Sequence, residues 1–409
     1  MRRRLAASAA LGIAALALLA GGAQAADPLA KSISMSGPQP LREDNHPNDY
    51  RSWGNRQYFK DSHTGWVKLW VSWYDLQQGY VATSRDGSWN NLTGSATGSA
   101  YLKRLDGQIR AANDDGVKVI VTVYQAFPTW ATGATGSDPL SSKGPERKLP
   151  TNRTANGPWA WFIGYLSARY NGAYNATGPH KPVKRESVTA YSGNPSHAKV
   201  DALEVLNEPN TLYWPMDNIA TSTAAMMRSA ATISSQWGRQ AILAPATSDS
   251  PDPGAARAGV SMDWKAFTSQ VLDALAGWVP PVPVYWSSHN YKDVKYEDPA
   301  ATSRAKQTID LLYAKNWKGG GDRNLWLTEG GYNLGTSWSD PAARDAQAAK
   351  IQKSFNEMKT LPEVVMWTQH GINDLSNNSF KSGLRDDFNY SLPGPGSTRP
   401  AWTTWLNIS

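Results

Sequence analysis

The sequence contains no cysteine among its 409 residues. This absence excludes disulfide bonds, thiol catalysis and metal sites with cysteine ligands. Histidine is also scarce, and the six histidines show none of the short spacings, such as His-x-x-x-His, that place two metal ligands on one helix face. We therefore predict no catalytic metal and no cofactor, whereas a structural Ca²⁺ in an acidic loop stays open.

Strong charge asymmetry is missing as well. The net charge is +7, but three of these charges belong to Arg2, Arg3 and Arg4, in a segment that we expect to be removed. The remaining Lys and Arg are scattered rather than striped, which argues against a nucleic-acid partner. The sequence shows neither an internal repeat nor a linker before a second catalytic domain. We predict a single domain over residues 26–409, and a monomer.

The first 25 residues have the pattern of a signal peptide. The three arginines precede an apolar stretch over residues 5–20, and Ala23-Gln24-Ala25 is a small-x-small cleavage site. An uncleaved membrane anchor is the alternative, but the apolar stretch is short for a membrane span. The pattern predicts cleavage near Ala25, secretion to the extracellular space and no membrane association afterwards.

Short apolar runs alternate with amphipathic stretches along the rest of the chain. The amphipathic stretches predict helices at residues 101–114, 158–170, 219–237, 264–275, 301–315 and 341–358. The apolar runs predict strands at residues 66–71, 117–124, 202–206, 241–244, 282–287, 324–328 and 364–367, preceded by a first strand at residues 32–36.

This alternation is typical of parallel strands joined by crossover helices. Eight such units predict a closed α/β barrel of the (β/α)8, or TIM, type. A doubly wound open sheet is the alternative, although no glycine-rich phosphate loop follows the first strand. The long loops at residues 131–157 and 171–196 are either functional or disordered.

Two carboxylates follow strands at positions suited to catalysis. Glu208, within Asn207-Glu208-Pro209, comes directly after the strand that ends at Leu206, and Glu329 follows the strand at residues 324–328. The separation of 121 residues corresponds to three βα units of roughly 40 residues each. Because barrel sites form at the carboxyl ends of strands, both acids should enter one mouth. Such a pair is what hydrolysis of a glycosidic bond requires.

Two further strand ends carry polar or aromatic residues, namely Ser288-His289-Asn290-Tyr291 and Met366-Trp367-Thr368. With these residues in place, the sequence resembles the clan of (β/α)8 retaining glycosidases that includes cellulases, mannanases and β-xylosidases. The segment 204–210 (EVLNEPN) is similar to the acid/base segment of the clan's xylosidase-like families, and Thr328-Glu329-Gly330 is similar to the nucleophile segment.

The resemblance implies roles for six residues. Glu208 would be the acid/base and Glu329 the nucleophile, with Tyr291 as its neighbour. Asn207 would bind the sugar 2-hydroxyl, and His289 would contact substrate. The resemblance also implies that Trp367 is the platform beneath the bound sugar.

Other features qualify the resemblance. Many members of the clan have an arginine on the second strand, where this chain has Lys68, and many cellulase-like members have a histidine after the third strand, where it has Tyr124-Gln125. These departures leave the substrate open.

Glu204 is expected to make a buried structural hydrogen bond. Aromatic rings stack on the faces of sugars, and the tryptophans at or just beyond strand ends are candidate subsites: Trp73, Trp130, Trp214 and Trp286.

The predicted function is a secreted retaining glycoside hydrolase that cleaves β-glycosidic bonds of a plant or microbial polysaccharide or oligosaccharide by double displacement. Two alternatives stay open. One is a catalytically inactive carbohydrate-binding barrel, which has no need to keep both acids. The other is a transglycosylase that uses the same site, with a sugar instead of water as acceptor.

Overall fold

The computed structural model describes residues 28–35, 49–51, 54–76, 96–124, 127–132, 148–154, 157–172, 198–319, 323–375, 379–388 and 397–409. The predicted signal peptide, Gln125 and most of the two long loops lie outside these residues.

Eight parallel strands close into a barrel in chain order. The strands are β1 (Ala30–Met35), β2 (Trp66–Val71), β3 (Lys118–Val123), β4 (Ala202–Glu204), β5 (Ala241–Leu243), β6 (Val284–His289), β7 (Leu325–Gly330) and β8 (Val364–His370). Strand β1 pairs with both β2 and β8, so the sheet has no open edge. This closure confirms the (β/α)8 prediction and excludes the open doubly wound sheet. Each predicted strand is present, with its ends shifted by at most three residues.

Helices cover the outside of the barrel. They are α1 (Asn55–Asp61), α2 (Trp73–Leu76), α3 (Ala96–Asp114), α4 (Thr129–Thr132), α5 (Pro158–Arg169), α6 (Ile219–Trp237), α7 (Trp264–Ala274), α8 (Tyr291–Tyr296), α9 (Arg304–Ala314), α10 (Pro341–Lys359) and α11 (Pro400–Asn407). None of the described helices combines the length and the apolar character that a membrane span needs. All six predicted helices are present, whereas the short helices α1, α2, α4 and α8 were not predicted, because none is long enough to show an apolar period.

The two faces of each strand have different neighbours. On β2, Val67, Leu69 and Val71 belong to the large core between strands and helices. The alternate residues of the eight strands point into the barrel, because side chains in a strand alternate between faces. The amino-terminal end of the barrel is filled by a separate apolar cluster of Ile120, Ala202, Leu243, Trp326 and Met366. The barrel interior is therefore a packed floor, above which polar side chains reach the mouth.

A short two-stranded sheet lies beyond β8. It consists of β9 (Asn373–Leu375) and β10 (Arg385–Phe388), and neither strand was predicted. Buried ion pairs fix this region: Arg399, which precedes α11, contacts Asp374 at 2.6 Å and Asp386 at 3.0 Å. These contacts connect residues far apart in the sequence, so local patterns do not reveal them.

Candidate active site

Glu208 lies at the turn that follows β4. Its backbone adopts the left-handed region, with φ of 45°, which side chains other than glycine rarely occupy. The turn is held in place because the Glu208 N–H donates to the Ala246 carbonyl at 2.9 Å. Thr211 donates to the Glu208 carbonyl from its backbone N–H at 3.1 Å and from its hydroxyl at 2.8 Å. A local strain of the order of 1–3 kcal/mol is thus maintained by neighbours, as is common at functional sites.

Glu329 is buried near the carboxyl end of β7. A register shift in the pairing of β6 with β7 places it opposite His289. Its carboxylate accepts a hydrogen bond from the Tyr291 hydroxyl at 2.8 Å and lies 3.3 Å from the Lys68 Nζ. His370 Nδ1 is 3.5 Å away. Tyr291 is therefore the neighbour of Glu329 that the resemblance implies.

The imidazole of His289 lies between the two carboxylates. Its Nδ1 is 3.0 Å from Glu208 Oε1, and its Nε2 is 3.7 Å from Glu329 Oε2. The two acids that the sequence places 121 residues apart are thus brought to either side of one ring. The charges of the two carboxylates therefore influence the protonation of His289.

Charge determines the state of Glu329. Burial raises the pKa of this carboxyl, but its interactions with His289, His370 and Lys68 and the Tyr291 hydrogen bond lower it more, to about 2. Burial lowers the pKa of His289, and the two glutamates reverse this effect, so the net direction is upward. Glu329 is therefore ionised at neutral pH, which is the state in which a carboxylate can attack.

Lys68 connects the site to the middle of the barrel. It is fully buried, and its Nζ lies 2.9 Å from Glu204 Oε2 as well as 3.3 Å from Glu329. Thr122 donates to the same Glu204 oxygen at 2.6 Å. Burial lowers the pKa of Lys68, but the two carboxylates raise it more. Glu204 thus has the buried structural role expected from the sequence, and Lys68 supplies positive charge beside Glu329 from β2.

Replacing Lys68 by Met should shift the acid limb of kcat/KM to higher pH, by about one unit or more. Loss of the cation raises the pKa of Glu329, so this carboxylate becomes protonated at a higher pH than in the wild-type protein. In the wild-type protein, the lowered pKa of Glu329 stabilises the fold at pH values above about 4.3, which is the pKa of a glutamate in the unfolded chain. This contribution is lost as the pH falls towards 2. The pH dependence of hydrolysis of an activated aryl glycoside measures the shift.

The single variant should also lose about 3–5 kcal/mol of stability, because Glu204 is left buried without its cation. The double variant Lys68→Met/Glu204→Gln is the matched control. It should regain much of the stability in denaturant unfolding while keeping the shifted acid limb. An acid limb that does not move in either variant would exclude Lys68 as a determinant of the Glu329 charge.

Both glutamates face a cavity at the barrel mouth. The cavity is lined by Trp70, Tyr124, Asn207, Glu208, Tyr213, Trp214 and Glu329. The side-chain oxygen of Asn207 is buried and has no hydrogen-bond partner among the described residues. An acceptor in that position suits a ligand hydroxyl, as implied for the sugar 2-hydroxyl.

Five residues of this site were not predicted to be site residues, namely Lys68, Trp70, Tyr124, Tyr213 and His370. Strand periodicity offers a signal for Trp70, which is two residues from Lys68 on β2 and therefore on the same face. The same rule relates His370 to Met366 on β8, since both point into the barrel. Tyr213 lies on the turn after β4, where no sequence period indicates which way a side chain points.

Three of the four candidate tryptophan subsites do not line the cavity. Trp73 stacks on Phe162 at 4.5 Å, and Trp130 packs edge-on against Trp73 and Trp161. Trp286 is fully buried and packs against Trp317. Of the proposed tryptophans near strand ends, Trp214 alone lines the cavity, and its indole donates to the Asn207 carbonyl at 2.9 Å.

Trp367, which was expected to be the platform beneath the sugar, does not line the cavity either. It lies on the outer face of β8, is fully buried, and donates to the Ser354 hydroxyl of α10 at 3.2 Å. Its ring packs against Phe355 and Trp405. The alternation of faces explains the error, because Met366 points into the barrel and Trp367 must point away from it. His289 does not line the cavity either, since it is buried beneath the two carboxylates.

Replacing Trp367 by Ala should therefore destabilise the fold by about 3–5 kcal/mol through loss of core packing. KM should stay near the wild-type value at a temperature where the variant is folded. Unfolding in denaturant and steady-state kinetics measure the two effects. Trp70→Ala, which removes a ring that lines the cavity, is the comparison and should raise KM with less loss of stability.

Within the described part of the chain, no group of three or more Asp, Glu or His side chains is arranged to hold a metal ion. What the site presents is one ionised buried carboxylate, one partly exposed carboxylate, a shared imidazole and aromatic rings. These are the components of acid/base and nucleophilic chemistry on a carbohydrate.

Several solved structures share this architecture at low sequence identity. A hyperthermophilic β-glucosidase from Pyrococcus furiosus matches with a TM-score of 0.53 and 11% identity, over 93% of this chain and 95% of that chain. Fpglu1 from Fervidobacterium pennivoraus gives 0.52 and 13%, and native xylanase 10B from Thermotoga maritima gives 0.51 and 11%, each with the same coverage. The chain has the (β/α)8 fold of these proteins. No protein-family model matches the sequence, and no curated protein matches it either. The structural matches confirm the expected fold, and the chemistry rests on the residues of the site.

Proposed function

We propose that this protein is a secreted retaining glycoside hydrolase that cleaves β-glycosidic bonds by double displacement. The observation that carries the proposal is the meeting of Glu208 and Glu329 across the imidazole of His289, at the edge of a cavity lined by aromatic rings. The geometry supports two carboxylates with different tasks, because Glu329 is buried beside Lys68 and Glu208 is partly exposed.

In the first step, ionised Glu329 attacks the anomeric carbon while Glu208 transfers a proton to the leaving oxygen. A covalent glycosyl-enzyme and a free leaving group result. In the second step, Glu208 removes a proton from water, which displaces Glu329 from the anomeric carbon. Two inversions give net retention. Asn207, with its unpaired oxygen, would hold the 2-hydroxyl throughout.

Two further observations support parts of the proposal. A β-glucosidase and a xylanase occur among the proteins with this fold, which supports a β linkage in the substrate. The basic amino terminus, the apolar stretch and the site at Ala25 support export. Sequencing the amino terminus of the protein recovered from culture medium tests the export and the cleavage site.

The test of the function is hydrolysis of nitrophenyl β-glycosides, β-glucans, xylans, mannans and arabinans by the purified protein. Proton NMR of an early time point should show the product as the β-anomer before mutarotation. A first-formed α-anomer would show inversion and exclude the double displacement. Binding of these carbohydrates without any hydrolysis would indicate the inactive barrel instead, and oligosaccharide products longer than the substrate would indicate transglycosylation.

A further inference from the structure

Tyr213 is an exposed aromatic side chain at the mouth of the cavity. It is 44% exposed and lines the cavity together with Glu208 and Glu329. Trp214, the next residue, is only 1% exposed and serves mainly as packing. Large apolar side chains with this degree of exposure are few among the described residues. An exposed ring beside two catalytic carboxylates indicates a contact surface for a ligand.

The turn that carries Tyr213 is fixed to Glu208. Thr211 donates twice to the Glu208 carbonyl, and the Trp214 indole donates to the Asn207 carbonyl. Asn210 anchors the same turn, since its amide donates to the Ser248 and Ser250 carbonyls at 3.1 and 3.0 Å. The position of Tyr213 relative to the acid/base is thus set before any ligand arrives, which reduces the entropic cost of binding.

The different roles of the two glutamates divide the cavity into a side for the sugar that becomes attached to the enzyme and a side for the leaving group. Glu329 attacks the anomeric carbon and so marks the side of the sugar that becomes attached to the enzyme. Trp70 belongs to that side, since its ring lies 5.6 Å from that of His370, which contacts Glu329. Glu208 protonates the bridging oxygen and so faces the leaving group. Tyr213 is five residues beyond Glu208 on the same turn, and therefore belongs to the leaving-group side.

We propose that Tyr213 is the platform on which the sugar ring of the leaving group stacks. This inference rests on the proposed function. The platform selects substrates whose leaving group is itself a sugar, and it holds an acceptor sugar when one replaces water in the second step. The face of a pyranose ring presents C–H groups that pack against an aromatic ring, while its hydroxyls remain in solvent.

The kinetic test compares two donors that share the sugar on the Glu329 side. One is whichever of the cello-, xylo- or manno-oligosaccharides the wild-type protein cleaves fastest, and the other is the glycosyl fluoride of the same sugar. Tyr213→Ala should lower kcat/KM for the oligosaccharide by about tenfold or more, and for the fluoride by less than about threefold, because fluoride makes no stacking contact. Tyr213→Phe should keep the wild-type preference. Leu212→Ala is the matched control, as Leu212 is 43% exposed on the same turn but does not line the cavity.

Equal losses on both donors, or no loss on the oligosaccharide, would overturn the assignment. A second measurement is independent of turnover. Titration calorimetry with the same oligosaccharides in a Glu329→Gln background should show dissociation constants about tenfold weaker when Tyr213 is also Ala. If the protein binds sugars without cleaving them, the proposed hydrolysis is excluded, but Tyr213→Ala should still weaken oligosaccharide binding. Oligosaccharide binding that is undetectable, or unaffected by Tyr213→Ala, would exclude the platform.

Discussion

Glu329→Gln should reduce kcat by about 10⁴-fold or more while leaving the fold intact. The amide has the same shape as the carboxylate but cannot form the glycosyl-enzyme bond. The amide oxygen can still accept the hydrogen bond from the Tyr291 hydroxyl, so the side chain should stay in the same place. Steady-state kinetics on an activated aryl glycoside measures the loss, and circular dichroism with thermal unfolding checks the fold.

Glu204→Gln is the matched control for this variant. Glu204 is another buried glutamate that contacts the same lysine, at 2.9 Å, but it lies deeper in the barrel and does not line the cavity. Glu204→Gln removes one negative charge beside Lys68 without removing the proposed nucleophile, so this variant should lose much less activity than Glu329→Gln. If both variants lost activity equally, or if Glu329→Gln kept more than a few per cent of turnover, Glu329 would not be the nucleophile.

Glu208→Ala should reduce kcat/KM on natural substrates by about 10²–10⁴-fold, the usual contribution of a general acid. The loss in the first step should be far smaller for dinitrophenyl glycosides, whose leaving group needs no protonation. The second step still lacks its base, so the glycosyl-enzyme should accumulate. Added azide should then restore turnover, because azide attacks without needing deprotonation.

The anomer of the azide product separates the two glutamates. Glu208→Ala retains Glu329, and azide that displaces the glycosyl-enzyme should give a β-glycosyl azide from a β-linked substrate. Glu329→Ala forms no covalent intermediate, so azide that attacks directly should give the α-glycosyl azide. Proton NMR of the products distinguishes them. Equal losses on activated and natural substrates, with no azide product from Glu208→Ala, would show that Glu208 is not the acid/base.

The sequence alone was sufficient to predict the barrel, because most residues of its strands are buried. Runs such as those at residues 66–71 and 117–124 are continuously apolar or nearly so, and amphipathic helices separate them at regular intervals. The carboxyl ends of the parallel strands all lie at one mouth of the barrel, so side chains at these ends come close together. Position along the chain was therefore enough to select Glu208 and Glu329 and to place them in the same site.

The direction of side chains near the strand ends was harder to predict. Trp367 and Trp286 were expected in the mouth because they are aromatic and close to strand ends, yet both point to the helices. Direction follows from the alternation of faces and from register, and a register shift such as that between β6 and β7 changes it. Tyr213 depends on a turn whose shape is fixed by hydrogen bonds to distant residues, including Ser248 and Ser250.

The sequence by itself determined the fold class and the placement of Glu208 and Glu329 at one mouth of the barrel, because both follow from local composition and from the order of elements along the chain. Only the tertiary structure decided the chemical state of the site. Lys68, His289 and His370 come from β2, β6 and β8, and their convergence on Glu329 lowers its pKa to about 2. Electrostatic interactions depend on distance through space and on burial, and neither quantity is written in the order of the residues.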